Sequence, residues 1–216
     1  KALDNYPFVA HELSSDISPE DAADIFVRIN SSGKILKTGD FILTLLSVFW
    51  DEGRADLETF CRQAREPGGD VSPFNYHLQP DPDQLLRVSI GFGHRRGRLT
   101  NLYSILRGKD LDTEEFSVER REQQFEILKH SQGRVLDLSN WHELLKSLLS
   151  AGYLHGDMIS SDISILYTYV IYLIGKENYQ VEHRVLRNLI ARYFFMTAIT
   201  SRYSGSFESQ LEKDLA

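Results

Sequence analysis

The stretch Asp24–Leu46, DIFVRINSSGKILKTGDFILTLL, decides how the chain folds. Just upstream, Ser18-Pro19-Glu20-Asp21 is a helix start, with Ser18 in the N-cap position, Pro19 at the first helical position and Asp21 where a capping-box acid belongs. Ala22, Ile25, Phe26 and Ile29 then recur at three- and four-residue spacing and predict one buried stripe. The pattern stops at Asn30, and Gly33 supplies a backbone free to reverse. Thr38 is a good cap for a second helix, whose Phe41, Ile42, Leu45, Leu46 and Phe49 form a wide apolar face. Two such helices joined by a short polar turn predict a helical hairpin.

Working outward, helical patterns recur from about 56 to 66 and near 82–92, 99–107, 114–131, 139–152, 162–174, 182–200 and 206–215. The fold class expected is mainly α: a multi-helix bundle with one short extended strand segment near the N-terminus, Tyr6–Leu13, which lacks a partner strand. Four of the six prolines lie between Glu66 and Asp83, so 67–81 reads as a linker in which Asn75, Tyr76 and His77 are mobile. The expected division is 1–66, 67–81 as linker, and 82–216 as a helical bundle domain. With 42% hydrophobic and 25% charged residues, 216 residues suffice for a globular core and exclude disordered and collagen-like classes. The most apolar run, Ile163–Ile174, is twelve residues long, where roughly 20 are needed to cross a bilayer. It reads as a central bundle helix, so no membrane role is expected. The chain opens on Lys1 with no basic and then apolar leader, so no signal peptide is visible. It also lacks an initiator Met, which reads as a processed or excised piece of something longer or as the result of tag removal.

Cys61 is the single cysteine, which excludes an internal disulfide and multi-cysteine metal sites and suits a reducing cytoplasm. The seven histidines form no HxxxH or HExxH pattern, so no metal site is expected. His155 with Asp157 is the best pair for acid-base work, although a polar interhelical loop explains the same residues. A GxSxG elbow and a Walker loop are both missing, and GFGHRRG lacks the preceding strand of a dinucleotide fingerprint. The net charge of -7 gives no bulk attraction to nucleic acid, so any contact must be local. Six basic residues and no acid lie between Gln84 and Lys109, followed by seven acids in 110–126. Arg95, Arg96 and Arg98, in a Gly-broken connection, form a basic knuckle that can meet phosphate oxygens with help from main-chain amides. Pairing with the acids of 110–126 is the other reading. Arg184, Arg187 and Arg192, alternating with Val185, Leu186, Leu189 and Ile190, predict a second basic helix face.

Three motifs carry a family resemblance: IFVRINSSGKILKTGDFILTLL, HGDMISSDISILYTYVIYLIG and LRNLIARYFFMTAITSRYSGSFESQLEKDL. They resemble the GmrS-like family, the N-terminal half of GmrSD-type modification-dependent restriction systems, and the resemblance runs from about Tyr6 to Leu215. It implies a ParB and sulfiredoxin-like lobe bearing an Asp-Gly-Gln-Gln-Arg motif, then a helical region, and in many members a His-Asn-His nuclease domain. Neither catalytic motif occurs in this chain. The resemblance therefore implies a non-catalytic helical portion of a phage-defence protein, which completes a nucleotide- or DNA-binding pocket and links catalytic domains. It further implies that 1–66 is the remainder of the first lobe, whose sheet explains the lone strand. Arg28, Asn30, Ser31, Ser32, Gly33 and Lys34 would offer side chains and amides to a phosphate, or serve only as a turn between helices. Ser32 replaces the family's usual Gly, and Lys34-Ile35 its Thr-Pro. NTP and Mg2+ are implied for the complete protein, not for this chain alone. A helical protein-interaction or oligomerisation module, using the 182–200 helix, is the expectation from a different class.

Overall fold

The computed structural model describes residues 38–216 except 100, 101, 111 and 112, together with 12, 14, 16, 17 and 25. The strand expected at Tyr6–Leu13 and the helix expected to begin at Ser18 lie outside the described residues as elements. The protein divides into two compact units, Lys1–Leu36 and Lys37–Ala216. Among its described residues the second holds nine α-helices: α1 (Thr38–Phe49), α2 (Asp51–Gln63), α3 (Pro82–Gly93), α4 (Leu102–Leu106), α5 (Val118–Val135), α6 (Leu138–Ser150), α7 (Asp162–Leu173), α8 (His183–Ile199) and α9 (Phe207–Leu215). The fold is mainly α; among the described residues the β structure is one isolated bridge, Lys109 to Phe116.

Helix α7 is the axis of the bundle. Ile165, Leu166, Tyr167, Thr168, Tyr169, Val170, Tyr172 and Leu173 are all buried, as a helix apolar all round must be. Among the described residues no helix is long and apolar enough to cross a membrane. Helices α3, α6 and α8 pack on α7, while α5 lies on α3. Ordinary local chemistry sets the ends. Pro82 opens α3 after Asp81, whose N–H donates to Gln84 Oε1 at 2.9 Å. Ser117 and Asp137 accept main-chain N–H groups at the starts of α5 and α6. A π-helical turn, Ile174–Asn178, extends α7. Trp141 of α6 is fully buried, edge-on to Phe60 at 5.5 Å and to Tyr169 at 5.6 Å. Its indole N–H donates to Pro73 O at 2.9 Å, so truncating it to Ala would cost about 3–5 kcal/mol.

Within the proline-rich segment 67–81, residues 67–71 are exposed and 72–80 form a packed strap. Asn75 satisfies its whole carboxamide: Nδ2 donates to Pro73 O and Leu78 O, and Oδ1 accepts from His77 N and Leu78 N, each at 2.8 Å. His77 Nε2 meets Tyr153 O at 2.9 Å and His142 Nε2 meets Ser72 O at 2.9 Å. Asn75 and His77 are thus buried and held, contrary to the mobility expected of them; only Tyr76 is largely exposed. Helices α1 and α2 pack on α3 across this strap, inside the same compact unit.

Candidate functional site

The basic knuckle follows α3. His94 caps that helix, Arg95 takes φ +55°, and the chain turns back toward α9. Gly97 must be glycine here, because a Cβ would lie 2.4 Å from Glu212 N and 2.5 Å from Glu208 O. That close approach brings the Gly97 and Arg98 amides onto Glu212 Oε2, at 2.5 and 3.1 Å. Arg96 adds an ion pair to Glu212 Oε1 at 3.3 Å, and Arg98 donates to Ser209 Oγ at 3.0 Å. Arg95 instead reaches Asn178 Oδ1 at 2.8 Å. Burial opposes ionisation of Glu212, but the two amides and Arg96 outweigh it and hold the carboxyl below its ordinary range.

The knuckle is therefore an anion receptor by construction, and the anion it holds is a carboxylate of the protein's own last helix. Its arginines engage α9 and the π-turn rather than the acids of 110–126. Those acids have nearer partners: Asp110 pairs with Arg120 at 3.4 Å and Glu114 with Lys109 at 3.3 Å. Arg96 and Arg98 remain solvent-exposed around the carboxylate.

Helix α9 is anchored at two further points. Arg87 pairs with Glu208 and lies 5.8 Å from the Phe207 ring centroid. At the far end Tyr203 donates to Asp214 Oδ2 at 2.6 Å, Tyr193 joins Tyr203 at 2.5 Å, and Arg202 forks onto both Asp214 oxygens. Tyr203 is almost fully buried, and burial raises its phenol pKa. Sequence reading missed this cluster; the one available signal was the spacing that puts Arg202, Tyr203 and Asp214 in the motif bearing the family resemblance.

His155 and Asp157 lie on a cleft of about 440 Å³ formed by the strap and the loop after α6. The imidazole stacks on Tyr76 with centroids 6.2 Å apart, and its Nδ1 accepts the Asp157 N–H at 3.3 Å. Asp157 is 95% exposed, so the pair has no organised, water-excluding surroundings for acid-base chemistry. Asp162 also lines this cleft; burial and then Asp81 raise its carboxyl pKa. Lys and Arg are absent from the cleft's described lining, which makes it a poor phosphate site.

On α8, Arg187 and His183 both close on Glu143 of α6, at 2.6 and 2.7 Å. Arg192, by contrast, is exposed and makes no hydrogen bond or ion pair among the described residues. Arg28, Asn30, Ser31, Ser32, Gly33 and Lys34, the expected phosphate-binding turn, lie outside the described residues. Among the described residues no three His, Cys, Asp or Glu groups gather where a metal could be held. No protein family, no curated protein and no solved structure matches the chain.

Proposed function

We propose that this chain is the helical portion of a GmrSD-like restriction or phage-defence protein of the prokaryotic cytoplasm. In this reading it provides no reacting groups. It completes a DNA- or nucleotide-binding pocket and links catalytic domains, whose NTP and Mg2+ would be held by residues outside this chain. The observation that carries the proposal is the pair of exposed guanidinium side chains, Arg96 and Arg98, on the knuckle. Glu212 already takes the Gly97 and Arg98 amides, so the exposed arginine side chains are what a nucleic-acid backbone would meet. The turn at Arg28, Asn30, Ser31, Ser32, Gly33 and Lys34 would be the second phosphate contact. A host expressing the complete gene should restrict phage carrying modified DNA, and an Arg95→Ala/Arg96→Ala/Arg98→Ala form should lose restriction at equal protein level. Undiminished restriction by that form would remove the knuckle from the mechanism.

A second reading, a helical interaction module, is favoured by the exposed apolar face of α8.

A further inference from the structure

Helix α8 is apolar on two sides. Leu186, Ile190, Phe194 and Thr197 face the core and are buried. Val185, Leu189, Met196 and Ile199 form a separate outer stripe, each between 49% and 62% exposed. Their spacing places Arg192 at the centre: Val185 and Ile199 lie seven residues to either side, Leu189 three before and Met196 four after. This is the seam of a coiled-coil helix with one guanidinium at a middle position. The element is held rigidly for display, since Arg187 and His183 tie its first turns to Glu143 and Tyr153 packs on Phe194 with ring centroids 4.8 Å apart.

Resting on the interaction-module reading, we infer that this stripe docks an amphipathic helix of another protein, with apolar seam residues and a carboxylate opposite Arg192. The charge pattern selects that occupant. Helix α8, HRVLRNLIARYFFMTAI, contains no Asp or Glu, and Arg192 has no partner among the described residues. A second copy is a poor fit. Parallel pairing in register sets Arg192 against Arg192, and antiparallel pairing sets each Arg192 against an apolar seam residue, with no acid on either helix to receive it. A guanidinium removed from water without a counter-charge opposes association, whereas a seam carboxylate converts it into a specificity element. Nucleic acid fits less well, because phosphates cannot cover four aliphatic side chains flanking a single cation.

The test uses two synthetic amphipathic peptides of about three heptads, a length at which a helix can form. They are alike in their Leu seam and differ only in Glu or Lys at the central seam position. Binding to the whole chain is followed by fluorescence anisotropy. The Glu peptide should bind at least about tenfold tighter than the Lys peptide, as for a close charge pair across an interface. Arg192→Glu should reverse the preference, and Leu189→Asp/Met196→Asp should abolish both. All substituted side chains are exposed, so an unchanged thermal melt checks that the variants fold. Equal binding of both peptides would leave α8 an interaction face but overturn the carboxylate partner. Binding of neither would overturn both readings. Dimerisation abolished by Leu189→Asp would make a second copy the occupant, and duplex DNA binding abolished by Arg192→Glu would make it nucleic acid; either overturns the inference.

Discussion

Glu143 is the residue whose replacement tests the packing of α8 most sharply. Its carboxylate, with 16% of the side chain exposed, receives Lys146 at 2.7 Å, His183 at 2.7 Å and Arg187 at 2.6 Å. Burial alone would raise its pKa, but hydrogen bonds from Lys146 and Arg187, with the charges of Arg187 and His183, bring it down to about 2. The ordinary value is 4.5, so the gap of about 2.5 pH units bounds the contribution to stability at about 3 kcal/mol. Lys146 and His183 are 55% and 58% exposed, and solvent screens their share; about 1–2 kcal/mol is expected at neutral pH. Because the folded pKa is depressed, this stability is fully present above about pH 4.5 and is lost as pH falls toward 2. Glu143→Gln should lower the urea-unfolding free energy by that amount at pH 7, and the melting temperature by about 2–4 °C per kcal/mol. The gap between variant and wild type should close by about pH 2. A variant as stable as wild type at pH 7, or a deficit that persists at low pH, would refute the reasoning.

Other consequences follow from the same geometry. Burial pushes the His94 imidazole down to about 4, against the partly offsetting contact with Gln124. The unfolded chain therefore binds this proton more readily, and stability should fall by up to about 3 kcal/mol as pH drops from 6.5 to about 4; His94→Gln should show a flatter profile in this window. The thiol of Cys61, buried and pushed up to about 12 first by desolvation and then by Asp81, should react with a disulfide reagent only after denaturation. Gly97→Ala would drive a methyl group into α9 main chain, costing about 1–3 kcal/mol and hastening proteolysis between Ser204 and Ser206.

Much of the helical order was legible in sequence, because caps and apolar spacing are local signals. The central helix at 162–174 was expected from its unbroken apolar run and lies at 162–173. Helix α2 begins at Asp51, ahead of the expected 56, because the acids of its first turn carry no apolar period. The strap looked like a linker because proline marks the absence of helix and is silent about packing; its order comes from Asn75 bonding within it and from His77, His142 and Trp141 linking it to residues about seventy positions away. The knuckle's arginines stand together in the sequence, but Glu212, the partner of the Arg96 side chain and of the Gly97 and Arg98 amides, lies more than a hundred residues away, beyond any local pattern. On α8, Val185 and Leu189 were grouped with Leu186 and Ile190 as one face. A helix apolar on two sides has a weak period, and only packing shows which side is covered.

The most direct measurement of the central claim is the salt dependence of duplex DNA affinity for this chain, compared with an Arg96→Ala/Arg98→Ala form. Each phosphate neutralised contributes about 0.9 to the slope of log affinity against log salt, so losing two contacts should make that slope shallower by about two. An identical slope in the variant, or no DNA binding by the wild-type chain, would contradict the account.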